Sequence, residues 1–199
     1  MRKYLMAAAV AAASVSAPAM AAHVITLGST PPAGLTVFND FEATPAGTAL
    51  GTNASVFSAP AANVSARPVG STGNYATVLN GGSATFTLPS ASAAFGFLIG
   101  SLDSYNSLRL DFSDGSFEVF NGGAITNGLG AEGYVTYDYS QAGKLITSAT
   151  FTSSGNSMEF DNLAATAVPE PATWALLILG FGLVGGAMRR RTSVKLAFA

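Results

Sequence analysis

Residues 172–188 impose the strongest constraint on this chain. They are seventeen consecutive positions, apolar or glycine apart from Thr173, without one charge. A helix of that length covers about 25 Å, near the lower limit for crossing the hydrocarbon core of a bilayer. A helix at the rim of a water-soluble core keeps one wet face, and past Thr173 this run offers none. The pattern therefore separates the run from any soluble domain and predicts one C-terminal transmembrane helix. Arg189, Arg190, Arg191 and Lys195 follow it. Positive charge is retained on the cytoplasmic side, so residues 192–199 read as a cytoplasmic tail, with Glu170 across the membrane. Trp174 falls at the outer interface, where an indole ring is favoured.

The other end of the chain carries a second routing signal. Met1-Arg2-Lys3 is basic, residues 4–15 are apolar and alanine-rich, and Ala19-Met20-Ala21 puts small residues where a signal peptidase needs them. This predicts a cleaved signal peptide over 1–21 and engagement of the export machinery. An exported domain over 22–163 follows, with a small-residue linker at 164–168 leading to the tail.

With both ends set aside, the charge balance changes. Residues 22–168 hold three basic side chains, Arg67, Arg109 and Lys144, against ten acidic ones, a balance of −7. An acidic, lysine-poor surface repels phosphate backbones and argues against nucleic acid as a partner. Cysteine is absent, so no disulfide supports the fold, although export leads to an oxidising compartment where disulfides persist.

The tail has a family resemblance. Pro169-Glu170-Pro171, Trp174-Ala175, the Gly180-Phe181-Gly182 run and Arg189-Arg190-Arg191 together resemble the PEP-CTERM sorting signal, in its PEPxxWA variant, over 169–191. The resemblance implies an exported bacterial protein, often from species that make an exopolysaccharide matrix. It also implies a membrane-embedded exosortase that acts near Pro169-Glu170-Pro171. The protein would sit first in the inner membrane, C-terminus in the cytoplasm, and then reach the cell surface or extracellular matrix. The chain continues past the arginines through residues 192–199, where members of the family often stop sooner.

Between the two signals the sequence alternates in short runs, with no long 3.6-residue period. Residues 36–42, 75–79, 84–88, 94–100, 108–112, 117–120, 133–139, 145–152 and 157–162 read as strands. Asn80-Gly81-Gly82-Ser83 and Ser113-Asp114-Gly115-Ser116 supply hairpin turns. Residues 45–72 read as long loops with one short strand near 55–57. Nine or ten short strands with Gly, Asn and Asp turns predict an all-β fold, a jelly-roll-like β-sandwich whose first and last strands pair near Phe41 and Phe160. Such a domain is similar in architecture to lectin-like jelly rolls, which implies a structural or carbohydrate-binding role.

Three groups of residues carry candidate chemistry. Glu42, Asp161 and Asn162 offer hard oxygen ligands from the two terminal strands and would form a structural calcium site if those strands lie side by side. Asp103, Tyr105 and Asn106 form a loop that could hydrogen-bond and stack on a sugar ring, though Asp and Asn also form turns. Tyr134, Tyr137 and Tyr139 read as a cross-strand ladder, with Tyr134 on the opposite face from the other two.

Signals for an enzyme are lacking. Glu159-Phe160-Asp161 begins an E-x-D-x-x-E pattern of sandwich-fold glucanases, but Ala164 stands where the second glutamate is needed. His23, the sole histidine, lies at the mature N-terminus, where chains fray. No catalytic residues are assigned, and the alternative of a secreted carbohydrate-active hydrolase lacks a locatable carboxylate pair.

Overall fold

The computed structural model describes residues 23–166 and 171–189. The signal peptide over 1–21, residues 167–170 of the linker and sorting motif, and everything from 190 onward lie outside the described residues. Ten strands form the domain: β1 Val24–Gly28, β2 Leu35–Asn39, β3 Ala49–Phe57, β4 Tyr75–Ser92, β5 Ala94–Ile99, β6 Asn106–Phe112, β7 Phe117–Asn121, β8 Gly133–Asp138, β9 Ile146–Ser153 and β10 Ser157–Thr166. A short 3-10 turn, Gly122–Thr126, follows β7.

All strands join one antiparallel sheet in the order β1-β8-β5-β10-β4-β9-β6-β7, with β2 added to β10 and β3 to β4. The expected all-β class holds, as a single antiparallel sheet curled on itself. Two bent strands produce the curl. β4 pairs with β10 over residues 76–79 and with β9 from Gly82 onward. The bend falls at the Asn80-Gly81-Gly82 segment, which the sequence assigns to a hairpin turn. Gly81 adopts a φ of +72° and Asn53 on β3 a φ of +44°, so both strands bulge together and the chain runs on. A side chain at Gly82 would place its Cβ 2.6 Å from the Asn53 carbonyl oxygen. Only glycine lets the two backbones approach this closely.

β10 is the second bent strand. Its first half lies beside β4, residues 160–165 pair with β5, and Leu163–Thr166 pair with β2. Asn162 takes a left-handed φ of +51° where the register shifts, so this asparagine forms a bulge. The strand expected first, over 36–42, is β2, and it pairs with the last strand at Leu163–Thr166; the pairing does not fall near Phe41 and Phe160, since Phe41 follows β2 and the chain's first strand, β1, pairs with β8. Residues 164–166, expected in a linker, are strand: their backbone groups are taken up by β2 and β5, which extends the domain to Thr166. Residues 45–72 likewise hold more order than expected, because β3 spans nine residues along β4.

The interior of the curl is aromatic. Phe151 of β9 stacks on Phe160 of β10 with ring centroids 3.8 Å apart, and Phe97 meets Phe151 edge-on at 4.9 Å. Phe86 and Phe41 set their edges against Phe160. Offset and edge-on contacts of this kind add to the gain from burying each ring. Tyr137 and Tyr139 join this core, while Tyr134 packs with Leu98 and Ala164 on the other face, as the alternation predicts.

Helix α1, Pro171–Arg189, occupies the predicted span over 172–188. Among the described residues, however, no helix is long and apolar enough to cross a membrane. The side chains of α1 over 176–186 are exposed.

Candidate functional site

The loop between β5 and β6 is built by its own hydrogen bonds. Asn106 is buried and accepts the Asp103 N–H on its Oδ1 at 2.7 Å, while its Nδ2 donates to the Ser157 carbonyl at 3.0 Å. Asn106 therefore shapes the loop and is withdrawn from any ligand. The Tyr105 hydroxyl donates to Asp103 Oδ2 at 2.7 Å. This bond, followed by burial and the negative charges of Asp103 and Glu159, raises the phenol above its ordinary range. The Tyr105 ring rests on Gly155, where an added Cβ would fall 2.3 Å from the ring. Bare backbone at 155 is what lets the ring settle there.

Two clefts meet at Tyr105. One, of about 380 Å³, lies between residues 60–66, Asp103, Tyr105 and the start of β10 at Ser157 and Glu159. The other, of about 390 Å³, is lined by Tyr105, Gly82, Asn121, Thr152 and Ser154. Among the described residues neither has a lysine or arginine in its wall. The wall is an aromatic ring flanked by hydroxyls, amides and two carboxylates.

Glu159 is the residue that sequence reasoning did not place here. Alternation along β10 gave it no special status; it is 1 % exposed because β10 pairs with β4 and the 60–66 segment closes over its carboxylate. Its Oε1 accepts the Ala66 N–H at 3.0 Å and the Ser157 hydroxyl at 2.6 Å. Its Oε2 is buried and has no hydrogen-bond partner among the described residues. Ser65, next to Ala66, is pinned by Tyr75 Oη at 3.1 Å and Thr77 Oγ1 at 2.7 Å, which fastens the 60–66 segment over β4.

Glu42, Asp161 and Asn162 sit on a different part of the domain. Asp161 is buried, accepts the Ser71 hydroxyl on Oδ2 at 2.6 Å and accepts the Asn162 N–H on Oδ1 at 2.7 Å. Burial pushes its pKa up to about 6 against those two hydrogen bonds, and the negative charges of Glu42 and Asp40 push the same way. Glu42 follows the strand it was expected to close, and its Oε1 accepts the Asn74 N–H at 3.1 Å. The fold thus brings these carboxylates into electrostatic range but gives three of their oxygens protein partners. Among the described residues no group of three or more His, Asp or Glu side chains is placed to hold a metal ion.

His23, expected to fray, is instead half-buried. Its ring lies 4.9 Å from Tyr139 and its Nδ1 3.4 Å from Glu118 Oε2. Glu118 also accepts the Tyr139 hydroxyl at 2.5 Å and faces Lys144 at 3.5 Å. This cluster ties the entry of β1 to β7.

The molecule so defined is an all-β domain followed by a short helical tail. Residues 167–191 match the family described as the PEP-CTERM protein-sorting motif. The tail is therefore similar to a sorting signal, which supports an exported protein handled by an exosortase-type enzyme. The match is confined to the tail. No curated protein and no solved structure matches the chain, so the β domain is read from its geometry alone.

Proposed function

We propose that this is an exported protein whose PEPxxWA-type tail, Pro169, Glu170, Pro171, Trp174, Ala175 and Arg189 to Arg191, delivers it to an exosortase-type enzyme at the membrane. The β domain is then released to the cell surface or matrix, where it binds carbohydrate. One observation carries the binding half: two clefts meet at Tyr105, a half-buried ring among hydroxyl and amide side chains, with no basic group in either wall. Sugar rings are bound by stacking on an aromatic face with polar side chains reading their hydroxyls, and an acidic wall suits neutral or cationic chains over anionic ones. The test is a glycan array probed with the full-length protein and with Tyr105→Ala. Binding of defined saccharides that Tyr105→Ala loses supports the reading; no binding to any saccharide refutes it. The sorting half is tested by intact mass in cells with and without the processing enzyme. Loss of the tail only where the enzyme is present is expected.

A second reading, a carbohydrate-active hydrolase, gains one observation: Asp103 and Glu159 line the same cleft. Two carboxylates across a cleft are what glycoside hydrolysis needs. Release of new reducing ends from a bound saccharide, lost in Asp103→Asn, would move the assignment to that class.

A further inference from the structure

Glu159 lacks a partner that the described residues do not supply. A carboxylate oxygen removed from water without a donor costs more than a hydrogen bond gains, so such groups are normally paired. Here Oε1 is held by Ala66 and Ser157 while Oε2 has no partner among the described residues. The residue nevertheless lines an open cleft of about 380 Å³ that also carries Asp103 and the Tyr105 ring. The missing component is a hydrogen-bond donor, and a positively charged one is favoured because two carboxylates and no base face this space.

A metal ion fits poorly. Calcium takes six to eight oxygens, whereas Glu159 Oε1 and Asp103 Oδ2 already accept protein hydrogen bonds, and the cleft is the size of a small-molecule pocket. An alkylammonium group fits well. It brings three donors and a full charge on a compact head, and its carbon frame can rest against an aromatic ring. We propose that this half of the groove is a subsite for a protonated primary amine, carried by an amino sugar with its amine free. This rests on the saccharide reading and deepens it. Because Oε2 is covered, the carboxylate must turn from Ser157 or residues 60–64 must lift when the amine enters. The Ala66 N–H, bonded to the same carboxylate, reports either movement.

The experiment titrates isotope-labelled full-length protein with a tetramer of β-linked glucosamine and, separately, with the same tetramer fully N-acetylated. Tighter binding of the free-amine tetramer, by ten-fold or more, is expected, with a shift of the Ala66 amide seen for that ligand alone. Glu159→Gln keeps an acceptor for Ala66 but lacks the charge, and is expected to equalise the two affinities. Asp103→Asn, at a part-exposed position, gives a second variant should Glu159→Gln fold poorly, and should shrink the preference. Equal affinities in the wild type, or a preference that survives both variants, overturn the amine subsite and leave the saccharide reading standing. Binding of neither tetramer, together with an empty glycan array, overturns both.

Discussion

Asp161 makes the stability of this domain depend on pH in an unusual direction. Its side chain is 1 % exposed, and its pKa is pushed up from 3.8 to about 6, chiefly by burial. A raised carboxylate pKa means that the folded chain holds a proton which the unfolded chain has released. Its contribution is therefore fully present below about pH 4 and is lost as the pH rises through 6. Over the full range from 3.8 to about 6 this amounts to about 3 kcal/mol, a large share of the stability of a domain this size. Most carboxylates act the other way, and Asp114 is one: the Ser116 hydroxyl and N–H lower its pKa, but it is fully exposed. The effect of Asp161 must therefore be isolated by difference. Urea unfolding would be followed from pH 4 to pH 7.5 for the wild type and for Asp161→Asn, which retains an acceptor for the Asn162 N–H and no titrating charge. Between those limits the wild type should lose about 2 kcal/mol relative to the variant, most of it between pH 4 and 6. Parallel profiles for the two proteins would refute the reasoning and mean that Asp161 is solvated or paired in the folded state.

Other outcomes follow from the core and the groove. Phe160→Ala removes the ring on which Phe151 stacks and is expected to cost about 3–5 kcal/mol in urea unfolding. Gly155→Ala puts a Cβ into the Tyr105 ring, so saccharide affinity should fall ten-fold or more by calorimetry, while the far-ultraviolet spectrum stays that of the wild type. Millimolar calcium is expected to leave Tm unchanged, because both oxygens of Asp161 and one of Glu42 already accept protein hydrogen bonds. A calcium-dependent rise in Tm would assign Glu42, Asp161 and Asn162 to a cation after all.

The strands that the sequence made legible are those whose signals are local. Leu108, Leu110 and Phe112 alternate with exposed or part-exposed partners, and Asp114-Gly115 closes the hairpin of β6 on β7 with the Asp114 carboxylate accepting the Ser116 N–H. The Asn80-Gly81 segment misleads for a physical reason: a left-handed glycine serves a hairpin turn and a bulge equally well. The difference is set by what lies alongside, β10 before the bend and β9 after it, and both arrive from more than sixty residues away in the chain. The site divides in the same way. Asp103 and Tyr105 were visible as a polar aromatic loop, whereas Glu159 became part of that site only through the pairing of β10 with β4 and β5. Asn106 was visible too, but its buried hydrogen bonds assign it to the scaffold.

The position of β10 has a consequence for timing. It lies between β4 and β5, supports β2, and brings Phe160 and Leu163 to the core, yet it is the last strand of the domain and ends at Thr166, one residue before the matched motif begins. A chain exported from its N-terminus would present nine strands with a gap at the centre of the sheet until its final residues emerged. The domain could close only as the sorting tail arrived at the export site. Folding and sorting would then be two readings of one event, the exit of the last strand, and a chain truncated before residue 157 would reach the far side with neither a closed core nor an address.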